Sequence, residues 1–215
     1  MANHCYNFAQ FVGTPESLHK LGKRLDRITK EQLKEEYTDK GLAIPSYKED
    51  IAWINGRNAH ELLFKKKSTE NFDVYDEYGS KWFSCHFRYD EEDTVLTMQG
   101  DSAWSPMLPL FSKICKKYNL TCDGNYSESG MDFAGEFVID SDGTIEDTQM
   151  TYKQYEATNN PDSFWDQVIY EIEEGYFKSL EAVYQEFTRV DWVLSESEST
   201  QLKKVYESSV KENES

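Results

Sequence analysis

Apolar and polar positions alternate over Cys5–Val12. Tyr6 and Phe8 fall on one face, Asn7, Ala9 and Phe11 on the other, which predicts a strand over 5–12. Gly13-Thr14-Pro15 then punctuates, with Thr14 placed to cap a helix and Pro15 at its first position. Leu18, Leu21, Leu25 and Ile28 recur at spacings of three and four, so an amphipathic helix follows and runs to about Glu36. Over 37–80 the pattern is broken by Gly41, Pro45 and Gly56, and a short helix is expected over Asn58–Phe64. Lys65-Lys66-Lys67 reads as a solvated helix end. Alternation returns at Lys81–Tyr89, where Trp82, Ser84, His86 and Arg88 interleave with Phe83, Cys85, Phe87 and Tyr89. The charged turn Asp90–Asp93 and the strand Thr94–Gln99 complete a hairpin.

A second helix is expected after Ser105-Pro106. Ser105 would cap it, and Leu110, Phe111, Ile114, Cys115 and Tyr118 form its stripe. Leu120–Tyr126 and Met131–Ile139 alternate again, Ser141-Asp142-Gly143 closes a turn, and Thr144–Tyr152 returns as a strand. One long helix is predicted over Asp162–Phe187, with a seam running from Trp165 through Ile172 to Phe187 and an interruption at Gly175. The order β-α-insert-β-β-α-β, then β-β-α, predicts an α+β fold. It is a ferredoxin-like split βαβ antiparallel sheet with helices on one face, extended by an extra hairpin and the long C-terminal helix. A single domain is expected over 1–190, with its insert at about 37–80. An acidic tail or weak terminal helix is expected over 191–215. The seam of the long helix is expected to cover the bare sheet face or to support a homo-oligomer.

Four local patterns carry a family resemblance. They are Asn3-His4-Cys5-Tyr6-Asn7, Gly79-Ser80-Lys81-Trp82, Ser102-Ala103-Trp104-Ser105-Pro106 and Gly130-Met131-Asp132-Phe133-Ala134-Gly135. With the element order they make residues 3–140 resemble the YubB-like ferredoxin-fold proteins of phages and plasmids. His4 and Tyr78 stand where that family leads one to expect tryptophan, Phe83 where an acid is expected, and Met107 where a second proline is common. The resemblance implies an intracellular accessory protein of a mobile element and transfers no catalytic residue. Trp82 and Trp104 are expected to anchor the helix-to-sheet core, with stacking on a small ligand as the alternative.

Charge changes the picture most. The 215 residues carry 23 basic and 40 acidic side chains, a net of −17. Residues 121–175 hold 14 of those acids and a single base, Lys153. Such a field repels phosphate, so direct nucleic-acid binding is not expected, and it attracts basic surfaces. The plainer alternative is that the carboxylates only keep the protein soluble. No apolar stretch is long enough to cross a membrane, and Met1–Gly13 lacks the features of a secretory signal, so a cytoplasmic setting is expected. Cys5, Cys85, Cys115 and Cys122 form no CxxC pair and read as reduced, buried thiols.

Candidate chemistry is sparse. His4, His19, His60 and His86 form no zinc-ligand spacing, and Cys5 beside His4 would point to the opposite strand face. Asp140-Ser141-Asp142-Gly143 lacks the later ligands of a calcium loop and reads as an ordinary turn. Neither phosphate-cradling glycine motif occurs. No cofactor and no metal is therefore expected. Asp123, Asp132, Glu136 and Asp140 fall opposite the apolar residues of their strands, and Glu146 and Asp147 extend the set. If the strands pair, several carboxylates share one sheet face and can imitate a phosphate backbone. The expected function is non-enzymatic: binding a basic host protein, as an acidic inhibitor of a defence or nucleic-acid-handling factor. A small-ligand module using Trp82 and Trp104, and an enzyme with an unrecognised site, stay open as alternatives.

Overall fold

A computed structural model describes residues 3–41, 51–55, 59–60, 62–63, 77–89 and 94–213. The Lys65–Lys67 run and the Asp90–Asp93 turn lie outside them. The chain divides into two compact units, Met1–Gln149 and Met150–Ser215, where the sequence places a boundary at 190.

The first unit is built on one seven-stranded antiparallel sheet. Its strands are β1 (His4–Val12), β2 (Ile51–Asn55), β3 (Trp82–Tyr89), β4 (Val95–Ala103), β5 (Thr121–Glu128), β6 (Phe133–Ile139) and β7 (Ile145–Met150). The spatial order is β2-β3-β4-β1-β5-β6-β7. The inner four, β3-β4-β1-β5, with helices α1 (Pro15–Asp39) and α2 (Leu108–Tyr118), make the ferredoxin-like arrangement. The insert adds β2 to one edge, and the expected extra hairpin widens the other.

Strand alternation decides which face is covered. Cys5, Ala9 and Phe11 of β1, Phe83, Cys85 and Phe87 of β3, and Leu96 and Met98 of β4 are all buried. They meet Leu18, Leu21, Leu25 and Ile28 of α1 and Leu110, Phe111 and Ile114 of α2 in one core. Phe111 is its hub, with ring centroids 5.7 Å from Phe11, 5.7 Å from Phe83 and 5.9 Å from Phe137. Helix α1 starts as the sequence predicts: Thr14 Oγ1 accepts from the Ser17 amide and Pro15 opens the first turn. Helix α2 does not. It begins at Leu108 with Met107 as an N-cap that makes no side-chain bond, because the Ser105 hydroxyl donates to the Gly79 carbonyl instead. Of the helix expected over Asn58–Phe64, Ala59, His60, Leu62 and Leu63 are described and helical.

The second unit is helical: α3 (Tyr152–Asn159), α4 (Pro161–Glu173), α5 (Leu180–Arg189) and α6 (Glu196–Asn213). The single helix expected over Asp162–Phe187 is thus two. Gly175 stands at φ 75°, the Tyr176 amide donates to the Glu171 carbonyl at 3.0 Å and the Gly175 amide to the Ile172 carbonyl at 3.0 Å. That pair of bonds closes a helix C-terminus and stops α4 while the apolar seam continues beyond it. The seam packs on itself: Phe164, Val168, Ile172, Val183 and Phe187 share one core with Leu202 of α6. Phe164 lies 5.6 Å from both the Phe187 and Trp192 rings. Within the segment beyond 191, α6 is therefore a packed helix, tied down also by the Ser209 hydroxyl donating to the Ile172 carbonyl at 2.9 Å. Glu186, nearly buried, pairs with Lys153 and Arg189.

Candidate functional site

The four sequence patterns meet at one end of the sheet. The Trp104 amide donates to the Asn3 carbonyl at 3.0 Å. The buried Asn7 amide donates to Ser102 Oγ and to the Cys5 carbonyl, each at 2.8 Å, and its Oδ1 accepts from the Met107 amide at 2.9 Å. Ser80 Oγ donates to the Ala103 carbonyl at 2.6 Å, and Ser102 Oγ to the Ser105 carbonyl at 2.6 Å. Gly79, at φ 89°, comes so close to the Pro106 carbonyl that a Cβ there would sit 2.6 Å from it. In the fourth pattern Gly135 lies under the Tyr126 ring, and a Cβ would come 2.4 Å from Tyr126 Oη.

This corner holds Trp104 at φ 72° with the side chain 43% exposed. A bulky residue in the left-handed region costs on the order of 1–3 kcal/mol and persists because its surroundings fix it. Here the fixing bonds lie on both sides of it. Trp104 is therefore not a core anchor, contrary to expectation. Nor is Trp82. Phe83, Cys85 and Phe87 take the helix-covered side of β3, so parity sends Trp82 to the other face, where it is half-buried.

That other face carries none of the buried strand residues that meet α1 and α2. On it, register places Trp53, Ser84, Asp101, Tyr6 and Ser127 in one row. His86, Gln99, Phe8, Asn125 and Glu136 form the next. Arg88, Thr97, Gln10, Asp123 and Val138 form the third. Trp53 stacks on Trp82 with centroids 4.9 Å apart, and His4 meets Trp82 edge-on at 5.4 Å. Tyr6 is 40% and Trp53 45% exposed. Asp101 lies 3.9 Å from His4 Nδ1, with both side chains about half in solvent. Burial, and then the Asp101 charge, raise the Tyr6 hydroxyl above the ordinary phenol value.

The acidic residues singled out from the sequence are only partly gathered. Asp123 and Glu136 share the open face in adjacent rows and are exposed. Asp132 sits in the β5–β6 turn at φ 53°, not on a strand. Asp140 is in the β6–β7 turn, where its carbonyl accepts from the Gly143 amide at 2.8 Å. On β7, Asp147 turns to the covered side and accepts from the Tyr126 hydroxyl at 2.9 Å, so Glu146 points the other way. Sequence reasoning missed Tyr6, Trp53 and Asp101 as members of the face. Ala52 and Ile54 alternating with Trp53 was the available signal for β2.

The four cysteines are free and buried, and burial raises the Cys5, Cys85 and Cys122 thiols, Cys5 to about 12. Among the described residues no three His, Cys, Asp or Glu side chains gather as a metal site requires. No helix among them is long and apolar enough to cross a membrane.

No curated protein and no solved structure matches the chain. A protein-family comparison does match, from within β3 through β4, α2, β5, β6, β7 and α3 into α4. It includes the patterns at 102–106 and 130–135. Residues 84–168 are similar to the family described as the ferredoxin-like domain in Api92-like protein.

Proposed function

We propose that this is a non-enzymatic accessory protein of a phage or plasmid that binds a basic host protein. It would act as an acidic inhibitor of a defence or nucleic-acid-handling factor. The observation that carries the reading is the open sheet face. There Asp123 and Glu136 stand exposed in adjacent rows, and neither makes an ion pair among the described residues. The chain's net charge of −17 favours a basic partner and disfavours phosphate. The YubB-like sequence patterns, gathered at one corner of the sheet, support the mobile-element setting. Exposure of Trp53, stacked on the half-buried Trp82, favours a second reading, a small-ligand module, which predicts a thermal shift with its ligand.

Charge reversal tests the first reading. The doubly substituted Asp123→Lys, Glu136→Lys protein should lose capture of the partner that the unaltered protein draws from host lysate. Reversal at Asp140, in the turn, should leave most of it. Equal capture by all three proteins at low and high salt would overturn the proposal.

A further inference from the structure

The end of the open face near the motif corner is built differently from the rest. Ser84 and Ala103 are small, and Asp101 stands beside them, across from Ser84 of β3 and from Tyr6 of β1. Around this low floor rise the aromatic side chains of Trp82 and Trp53 on one side and of Tyr6 and His4 on the other. Ala103 is directly opposite His4, and the Trp82 and His4 rings meet at 5.4 Å. The result is one carboxylate in an aromatic frame. Among the described residues its ion-pair contact is His4, at 3.9 Å; no lysine or arginine reaches it.

The chemistry of this frame selects its occupant. An apolar ligand would strip water from Asp101 and leave the charge unpaired. A nucleotide would bring phosphate against Asp101 on a chain of net charge −17. A planar cation satisfies both elements: it lies on an indole or phenol ring and pairs with the carboxylate through two N–H donors. We infer that the His4, Tyr6, Trp53, Trp82 and Asp101 frame receives an arginine side chain of the basic partner. This deepens the proposed function and rests on it for the partner's identity. The raised Tyr6 hydroxyl agrees, since it places that ring within the field of Asp101.

The test needs no knowledge of the partner. An arginine-bearing tripeptide amide is titrated into the full-length protein while the indole N–H resonances of Trp53 and Trp82 are followed by NMR. Its citrulline counterpart, the same shape without the charge, serves as the comparison. The arginine peptide should shift both resonances saturably and the citrulline peptide should not. Asp101→Asn, which keeps the shape of the floor, should weaken the arginine peptide by about tenfold or more, the loss of a charge-assisted pair. Trp82→Ala should abolish the response at Trp53, with the protein's circular dichroism showing that it remains folded. Equal shifts with the two peptides, or an arginine response unchanged by Asp101→Asn, would overturn the inference. A host partner released by reversal at Asp123 and Glu136 but held equally well by Asp101→Asn would overturn it too, while leaving the proposed function standing. Arginine binding at the frame with no basic host partner would do the reverse.

Discussion

The first unit should lose on the order of 4 kcal/mol of stability between about pH 8 and about pH 10. Cys5, Cys85 and Cys122 lie in its core at 0%, 0% and 1% exposure. Burial raises each thiol from the ordinary value of 9.0, and Cys5 reaches about 12. An unfolded chain releases these protons near pH 9, whereas the folded chain keeps them. Above that pH the unfolded state binds fewer protons, so stability falls as pH rises; below it the contribution is fully present. Each group supplies about 1.4 kcal/mol per pH unit, and three together approach the whole stability of an ordinary domain within about two units. Tyr78, also raised to about 12 by burial and then by Glu77, adds to the fall above pH 10. Urea unfolding at about pH 8 and about pH 10, with reductant present, reads the difference. Thiolate absorbance should stay low in the native protein and appear on unfolding. A denaturation midpoint that does not move between the two pH values would contradict the packing described.

Replacing Asn7 by alanine should cost about 3 kcal/mol and loosen the motif corner as a whole. Its side chain is fully buried and makes three bonds: two donated, to Cys5 O and Ser102 Oγ, and one accepted from the Met107 amide. Alanine leaves that amide buried without its acceptor, at about 1–3 kcal/mol, and removes the two donations besides. Asn7→Asp keeps the acceptor for Met107 but turns an oxygen toward the Cys5 carbonyl. It should therefore also destabilise, and less so at low pH, where a protonated carboxyl can donate. Equilibrium unfolding of the two variants measures both effects. Wild-type stability in Asn7→Ala would show that the corner is not held through this residue.

Much of the fold was legible because half-buried strands alternate cleanly. Over 5–12, 81–89 and 120–126 one parity fills the core and the other does not, and the register follows from it. Trp82 and Trp104 do not anchor the core as their bulk suggests. Phe83, Cys85 and Phe87 already fill the covered side of β3, leaving Trp82 the open one. Trp104 depends on a left-handed backbone whose amide donates to the carbonyl of Asn3, 101 residues earlier in the chain, which no local pattern reports. β2 gives a weak signal because it is five residues long and its inward face is carried by the small Ala52 and by Ile54. The helix break at Gly175 was visible as a glycine, but the seam running across it concealed two helices. The acidic set could not be resolved from sequence at all. Asp132 and Asp140 belong to turns and Asp147 to the covered side, and only pairing and turn geometry separate them from Asp123 and Glu136.

On the proposed function, the open face of the sheet engages a basic protein through charge. The most direct measurement is the affinity of the captured partner as a function of salt, for the unaltered protein and for the Asp123→Lys, Glu136→Lys protein. Affinity should fall by about tenfold or more as salt rises from about 0.05 M to about 0.5 M, with a shallower slope and weaker binding in the variant. An affinity that does not change with salt, and is the same for the two proteins, would contradict it.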